Sequence, residues 1–327
     1  MEKYSTHLGT ISEEQFDQAL QRLGLGNFVK AEKITYGIIG QNVFLTSTKG
    51  EFVFRGNPIS PNQFLIEQFV ASKLHKHTNV TVSYPYYVDE LTDIFGWSYA
   101  IMPRLQGIQI ANGGTMLMEI EKADRLKIAR AMAEVLVEMQ KFTYKEHGEE
   151  ASSLMNVYYA DEDREEIIQG RQEHIAKLRE RHPVTDEDAD YIMNILTENI
   201  DGLFVPFEPC FKMGDFKEDN VLFSHDAKSG DWEVCGVYDL AYSHFGDGES
   251  EIYRAYAMYL EVDVDVAAEF ISTYKALKPP REGFEKRLKV HLMGERLGMW
   301  EWAMNEQKAW WDENFSLKDW LMFYLER

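Results

Sequence analysis

The first third of the chain alternates short β-rich runs with two amphipathic segments. Residues 11–23 place apolar side chains at helical spacing behind a Ser12/Gln15 capping box, which predicts an opening helix. A second helix is predicted over 62–75. Strands are predicted at 34–36, 42–46, 52–55, 80–88 and 97–102, with a turn at 47–50 that makes an antiparallel hairpin. We therefore expect a small N-terminal lobe over residues 1–104 with an opening helix, a five-stranded sheet and one further helix.

From about residue 115 the pattern becomes mainly helical. An apolar stripe along 119–142 is typical of a core-facing helix. Further helices are predicted at 249–260, 267–277, 283–305 and from 317 to the end. A strand pair near 221–223 and 234–237 interrupts them. The fold class is therefore α+β, with a larger, mainly helical lobe over residues 105–327.

Composition predicts a globular protein without a membrane-spanning segment or a zinc site. The chain has 327 residues, of which 45% are hydrophobic and 27% charged, enough for two lobes with a substantial core. It has no run of eighteen apolar residues and its N-terminus has no apolar segment for export, so we expect a cytoplasmic protein without a membrane partner. Cys210 and Cys235 lack metal-ligand spacing and are expected to be packed thiols.

The net charge of −21 argues against nucleic acid as a partner, because phosphate binding needs clustered Lys and Arg. An acidic cleft would suit a cationic substrate, but acidic surfaces also serve solubility. Both interpretations stay open, and the oligomeric state is not predicted.

The strongest chemical signal lies around the strand pair. Asp215 is followed five residues later by Asn220, which opens an apolar strand, and the returning strand ends at Asp239. The hairpin brings Asn220 and Asp239 side by side, as oxygen ligands for Mg²⁺ with a bound nucleotide, while Asp215 can accept the proton of a hydroxyl. The alternative is that the three residues merely cap turns and a strand end. Their combined placement favours phosphoryl transfer.

Three segments together carry a family resemblance, namely Gly214-Asp215-x₄-Asn220-Val221-Leu222, Tyr238-Asp239-Leu240 and Phe245-Gly246-Asp247-Gly248. They resemble the aminoglycoside phosphotransferase and choline kinase family, and the catalytic and C-terminal segments look most similar to hygromycin-B phosphotransferase. The resemblance implies a bilobal protein-kinase-like fold. It also implies transfer of the γ-phosphoryl group of ATP or GTP to a hydroxyl of a small, cationic acceptor such as an aminoglycoside or amino sugar. Asp215 would be the catalytic base, with Mg²⁺ held by Asn220 and Asp239.

The resemblance extends to the N-terminal lobe, where residues 36–44 look like the family's phosphate-covering turn. The nucleotide-binding residues that it implies are Gly40, Asn42, Val53, Arg55, Glu67, Met102 and Arg104. Strand alternation places Val53 and Arg55 on one face, so Arg55 at the phosphates would put Val53 over the base. Glu67 is the expected ion-pair partner of Arg55, although a solvated helix Glu is the plainer interpretation.

The helical lobe is expected to line the acceptor site. Its aromatic and acidic segments at 161–166, 300–302 and 310–313 could hold an amine-bearing sugar or quaternary amine. Single tryptophans there are equally compatible with a core role.

Two departures from the family pattern define the alternative function. Met213 stands where the family has His, and Arg55 replaces the usual Lys. A catalytically weak or inactive nucleotide-binding regulator is therefore the competing hypothesis. A protein kinase is a weaker one, because no Ala-Pro-Glu segment follows Asp239.

Overall fold

The structure, a computed structural model, describes residues 1–34, 40–110, 115–159 and 163–327. Its N-terminal part comprises β1 (Glu2–Ser5), β2 (Gly9–Ile11), α1 (Glu13–Arg22), β3 (Phe28–Lys33), β4 (Asn42–Ser47), β5 (Gly50–Gly56), α2 (Gln63–His77), β6 (Tyr87–Asp89) and β7 (Tyr99–Pro103). The last five strands pair antiparallel in the order β3-β4-β5-β7-β6. The capping box predicted for α1 is present, with the Ser12 hydroxyl accepting from the Gln15 N–H.

Strand β5 determines which side chains face the two sides of this sheet. Phe54 is fully buried on one face, where it packs against Phe16 of α1 and Tyr99 of β7. Because side chains alternate along a strand, Val53 and Arg55 lie on the opposite face. The sheet thus has one face packed on α1 and a second face turned toward the rest of the chain.

One predicted strand was misplaced, and another lies mostly outside the described residues. The first sheet strand is β3, which ends at Lys33, and residues 35–36 of the run predicted at 34–36 lie outside the described part of the chain. The run at 80–88 forms a strand only at 87–89. Val80 and Val82 are instead buried in the larger core, and Val82 makes an isolated bridge to Val237. Their apolar character therefore reflects burial in that core, and neither residue belongs to a strand of the five-stranded sheet.

The C-terminal part is mainly helical, as predicted. Its helices are α3 (Thr115–Glu119), α4 (Lys122–Met139), α5 (Tyr144–Ser152), α6 (Arg164–Arg179), α7 (Asp186–Asn199), α8 (Ile252–Val262), α9 (Val264–Leu277), α10 (Phe284–Glu306) and α11 (Leu317–Leu325). The helix predicted over 119–142 is present as α4, which is three residues shorter at each end. Among the described residues, no helix combines the length and apolarity that crossing a membrane requires.

Two short antiparallel pairs interrupt these helices. Strand β9 (Val221–Asp226) pairs with β10 (Asp231–Val237), and β8 (Cys210–Lys212) pairs with β11 (His244–Gly246). The β8 and β9 strands flank the Asp215 loop, and the chain between β10 and β11 contains Asp239. These two pairs therefore fix both ends of the segments that carry the candidate chemistry.

Candidate active site

A cavity of about 730 Å³ lies between the open face of the five-stranded sheet and the β9–β10 hairpin. All ten residues predicted from the sequence line it, namely Gly40, Asn42, Val53, Arg55, Glu67, Met102, Arg104, Asp215, Asn220 and Asp239. The fold thus brings together residues that are as far apart in the sequence as Gly40 and Asp239.

Asn220 and Asp239 stand at the end of the hairpin ladder. The Tyr238 N–H donates to the Asn220 carbonyl at 3.1 Å, which ties the two segments together. The Asn220 amide nitrogen donates to the Asp215 carbonyl at 2.8 Å and to Asp215 Oδ2 at 3.0 Å, so its Oδ1 remains available as a ligand. Asp239 has a left-handed backbone, with φ of 63°, and its side chain is 38% exposed.

This donor set fits Mg²⁺ held jointly with nucleotide phosphates. Asn220 and Asp239 offer an amide oxygen and a carboxylate, which are hard ligands. Within the described ranges, no group of three or more His, Cys, Asp or Glu residues could form a complete metal cage. Mg²⁺ is commonly bound by one or two protein oxygens plus substrate phosphates and water, so two ligands beside an open cavity suffice.

The Asp215 carboxylate is held by cations on both oxygens. Lys217 Nζ lies 3.0 Å from Oδ2, and the Arg254 guanidinium of α8 donates to Oδ1. Burial alone would raise the pKa of Asp215, but the positive charges of Lys217 and Arg254 outweigh it, and the net pKa is lowered. The carboxylate is therefore ionised and oriented before any substrate arrives.

The backbone of the Asp215 loop is anchored by Glu251, a residue that the sequence analysis did not identify. The Gly214 N–H donates to Glu251 Oε1 at 2.9 Å, and Glu251 is almost completely buried. Met213, which replaces the family's His, is fully buried and belongs to the larger core. The packing of Met213 and the hydrogen bond to Glu251 therefore both stabilise the start of the Asp215 loop, where the family has His.

Gly214 is expected to be intolerant of a side chain. Its φ is 80°, and a Cβ atom would lie 2.5 Å from the Tyr242 carbonyl oxygen. We predict that Gly214→Ala costs about 3 kcal/mol of unfolding free energy and about 100-fold in kcat, because the strained loop must shift. Urea unfolding and steady-state kinetics check this.

Gly230→Ala is the matched control for Gly214→Ala. Its φ is 71°, yet the only atom near its added Cβ is the flexible end of Lys127 at 3.2 Å. It should cost about 1 kcal/mol and leave kcat unchanged. Equal effects of the two substitutions on kcat would contradict the loop assignment.

Arg55 and Glu67 form the predicted ion pair, with Arg55 Nη1 2.6 Å from Glu67 Oε2. Arg55 Nη2 donates to Gln41 Oε1 at 3.0 Å and lies 3.3 Å from Asp239 Oδ1. Glu67 also accepts from Tyr86 at 2.7 Å. Burial raises the pKa of Glu67, and the Arg55 charge opposes that shift. Arg55 therefore links the sheet, α2 and the candidate metal ligand.

Arg55→Met should destabilise the protein by about 3–5 kcal/mol, because it leaves the Glu67 carboxylate buried without a cation. Adding Glu67→Gln should restore much of that stability. Both variants should bind nucleotide at least tenfold more weakly than the wild type, since neither retains the cation. Denaturation and nucleotide titration separate the two effects. A double variant with full nucleotide affinity would contradict the role of Arg55.

The remaining predicted residues form a slot at the sheet end of the cavity. Val53 pairs with Met102 across β5 and β7, and both side chains face the larger core. The Arg104 guanidinium lies 3.8 Å from the centre of the Phe44 ring. At the other end, Asn42 Oδ1 is buried without a hydrogen-bond partner in the described structure. The slot therefore offers apolar walls for a flat base, and the other end of the cavity offers polar atoms.

Several predicted features lie elsewhere. Trp311 packs against Trp320 of α11, Trp310 stands edge-on to the same ring, and these tryptophans do not line the cavity described above. Asp247 of the third motif pairs with Arg281 at 2.5 Å and caps the turn before α8. Residues 36–39 of the proposed phosphate-covering turn, and Asp161 of the proposed acceptor wall, lie outside the described residues.

Solved structures of known proteins share the fold of this chain. A putative aminoglycoside phosphotransferase from Ralstonia eutropha JMP134 superposes with a TM-score of 0.66 at 16% identity, covering 97% of this chain and 98% of that one. The GDP complex of wild-type aminoglycoside 2'-phosphotransferase-IIIa gives 0.65 at 14% identity, covering 96% and 97%. A thermostable mutant of APH(4)-Ia, in a ternary complex with ADP and hygromycin B, gives 0.60 at 13%, covering 94% and 97%.

These likenesses establish the bilobal kinase-like fold, while a particular similarity to hygromycin-B phosphotransferase stays a prediction. A search of curated protein sequences found no match. The sequence profile of the phosphotransferase enzyme family matches residues 30–285, which is more than half of the chain. The chain therefore belongs to the phosphotransferase enzyme family.

Proposed function

We propose that this phosphotransferase transfers the γ-phosphoryl group of ATP or GTP to a hydroxyl of a small molecule. The observation that supports the proposal most strongly is that Asp215, Asn220 and Asp239 line one cavity together with Arg55, which lies 3.3 Å from Asp239. This is the arrangement that phosphoryl transfer needs, because most of its catalysis is positioning and neutralisation of charge.

The nucleotide occupies the cavity from the slot to the hairpin. Val53 and Met102 cover the base, and Arg104 lies at the edge of the slot. Arg55 neutralises the phosphates, with Gly40 and Asn42 beside them, and Glu67 holds Arg55 in place. Asn220 and Asp239 would hold Mg²⁺, which would supply positive charge to neutralise the phosphate oxygens. The role of each residue follows from its place along the cavity.

Asp215 acts on the acceptor. Its carboxylate accepts the proton of the attacking hydroxyl and aligns that oxygen with the phosphorus atom. Asn220 holds Asp215 Oδ2 at 3.0 Å, so the catalytic base and a metal ligand are fixed relative to each other. Lys217, which also lines the cavity, is placed to offset negative charge near the transferring group.

The experiment is a turnover assay with Mg²⁺ and either ATP or GTP against aminoglycosides, choline-like amines and uncharged sugars. Solved structural neighbours include complexes with kanamycin and hygromycin B, so amino sugars belong in the panel. Acceptor-dependent release of ADP or GDP supports a kinase. Tight nucleotide binding without transfer to any acceptor would favour the second candidate, a nucleotide-binding regulator, which the Met213 and Arg55 replacements motivate.

A further inference from the structure

A second cavity of about 410 Å³ lies beside the Asp215 loop, and we call it the side cavity. Its lining includes Gly214, which precedes Asp215 in the chain. Ala241 and Tyr242 line both this cavity and the larger one, so the two are neighbours that share a wall. A molecule in the side cavity therefore lies against the start of the Asp215 loop and beside the larger cavity, which Asp215 lines.

Ser243 and His244 give the side cavity two unused polar atoms. Ser243 is 6% exposed, and its hydroxyl has no hydrogen-bond partner among the described residues. His244 Nδ1 lies 3.0 Å from the Tyr242 carbonyl, which can only accept, so Nδ1 carries the proton and Nε2 is an acceptor. Burial, aided by the nearby Lys212 charge, lowers the pKa of His244 to about 4, so the ring is uncharged at neutral pH.

A further part of the lining comes from the segment that follows α5, which is hydrogen-bonded to β11. The Phe245 N–H donates to the Asn156 carbonyl at 3.0 Å, and the Tyr158 N–H donates to the Phe245 carbonyl at 2.9 Å. The exposed Tyr158 ring stands edge-on to His244, with centroids 5.3 Å apart. This segment thus presents an amide and an aromatic ring, groups suited to hydrogen bonding and stacking of a hydroxylated ring.

The charges near this cavity do not favour an amine. Among the described residues, its lining contains no carboxylate. Asp215 is paired with Lys217 and Arg254, and Glu295 is paired with Arg254 and Arg296. Glu251 accepts from the Gly214 N–H and is 4% exposed, so among the described residues these three carboxylates already have partners and are poorly placed to bind an ammonium group.

We propose that the side cavity binds the acceptor and that the acceptor is an uncharged polyhydroxylated molecule of the sugar or polyol type. Ser243, His244 Nε2 and Asn156 bind its hydroxyls, and Tyr158 and Tyr242 pack against its ring. This inference rests on the proposed function, because it names the acceptor of that same reaction. It departs from the cationic acceptor expected from net charge and family resemblance.

The test compares matched probes that differ by one amine, such as glucose with glucosamine and uncharged disaccharides with amino disaccharides. Transfer is measured with labelled nucleotide, and binding is measured by calorimetry with Mg²⁺ and a non-hydrolysable nucleotide. We expect the uncharged member of each pair to have the higher kcat/KM. Ser243→Ala and His244→Phe should each lower kcat/KM for the acceptor about tenfold, the effect of one lost hydrogen bond, with the nucleotide KM unchanged.

His225→Phe and Ser229→Ala are the matched controls, because both residues lie in or beside the exposed β9–β10 hairpin and line neither cavity. They should leave kcat/KM unchanged, and urea unfolding verifies that all four variants fold. Transfer to amino sugars alone, unaffected by Ser243→Ala and His244→Phe, would overturn this inference while the kinase function stands. Calorimetric binding of uncharged probes that both variants abolish, without any transfer, would support the cavity and overturn the kinase function. If uncharged probes are neither bound nor phosphorylated, the inference is overturned.

Discussion

Replacing Asp215 by Asn is expected to lower phosphoryl transfer at least 1,000-fold, at about the upper range for loss of a general base. Asn has nearly the same shape, so the loop should stay folded, but it cannot accept a proton. It also removes the charge that Lys217 and Arg254 neutralise, leaving two cations at the point where the acceptor hydroxyl must lie. Nucleotide affinity should change less than threefold, because in the proposed mechanism Asp215 acts on the acceptor and does not bind the nucleotide. Steady-state kinetics and nucleotide titration give the two quantities.

Asp226→Asn is the matched control for Asp215→Asn. Asp226 is an exposed hairpin carboxylate that accepts from the Lys228 N–H at 2.8 Å and does not line the larger cavity. The same change of charge there should leave transfer unaffected. An Asp215→Asn enzyme with wild-type kcat would contradict the assignment of Asp215 as the catalytic base.

Replacing Asp239 by Asn is expected to lower kcat at least 100-fold at low millimolar Mg²⁺, with partial recovery as Mg²⁺ is raised. Asn tolerates the left-handed backbone at this position, where φ is 63°, so the substitution isolates loss of the metal-ligand charge. The substitution also removes the negative charge that faces Arg55, which lies 3.3 Å from Asp239. A Mg²⁺ titration of kcat/KM measures the effect.

Asp239→Gly and Asp239→Ala separate ligand loss from backbone strain. Both remove the carboxylate, but only Ala meets the steric penalty of a positive φ, about 1–2 kcal/mol. We expect equal losses of activity and lower stability for Ala. An Asp239→Asn variant with an unchanged Mg²⁺ dependence would contradict its assignment as a metal ligand.

The residues that could be predicted from the sequence are positioned by short-range geometry. Asp215, Asn220 and Asp239 belong to one loop and hairpin, whose strand pairing brings them together regardless of what packs around them. Val53 and Arg55 share a face because strands alternate. Ser12 and Gln15 form their capping box within one helical turn. Short-range geometry of this kind can be predicted from one sequence.

The missed residues depend on tertiary packing. Arg254 reaches Asp215 from α8, and Glu251 reaches Gly214 from the turn before it, contacts that no spacing in the sequence encodes. The side cavity likewise combines a wall near Asn156 with the segment at Ser243. The neighbouring Trp310 and Trp311 suggested an aromatic acceptor wall, but they pack with Trp320 instead. Which side chains are buried in a helical lobe cannot be predicted until the packing of its helices is known.

The most direct test of the central claim follows a labelled γ-phosphoryl group. The wild-type protein is incubated with Mg²⁺, ATP or GTP carrying an ¹⁸O-labelled γ-phosphoryl group, and the hydroxylated acceptor panel, and each acceptor is then examined by mass spectrometry. We expect label on an acceptor oxygen, with one ADP or GDP formed for each phosphorylated acceptor, and no such product with Asp215→Asn. Label that remains in the nucleotide or appears only in inorganic phosphate, while nucleotide and acceptor are both bound, would contradict this expectation.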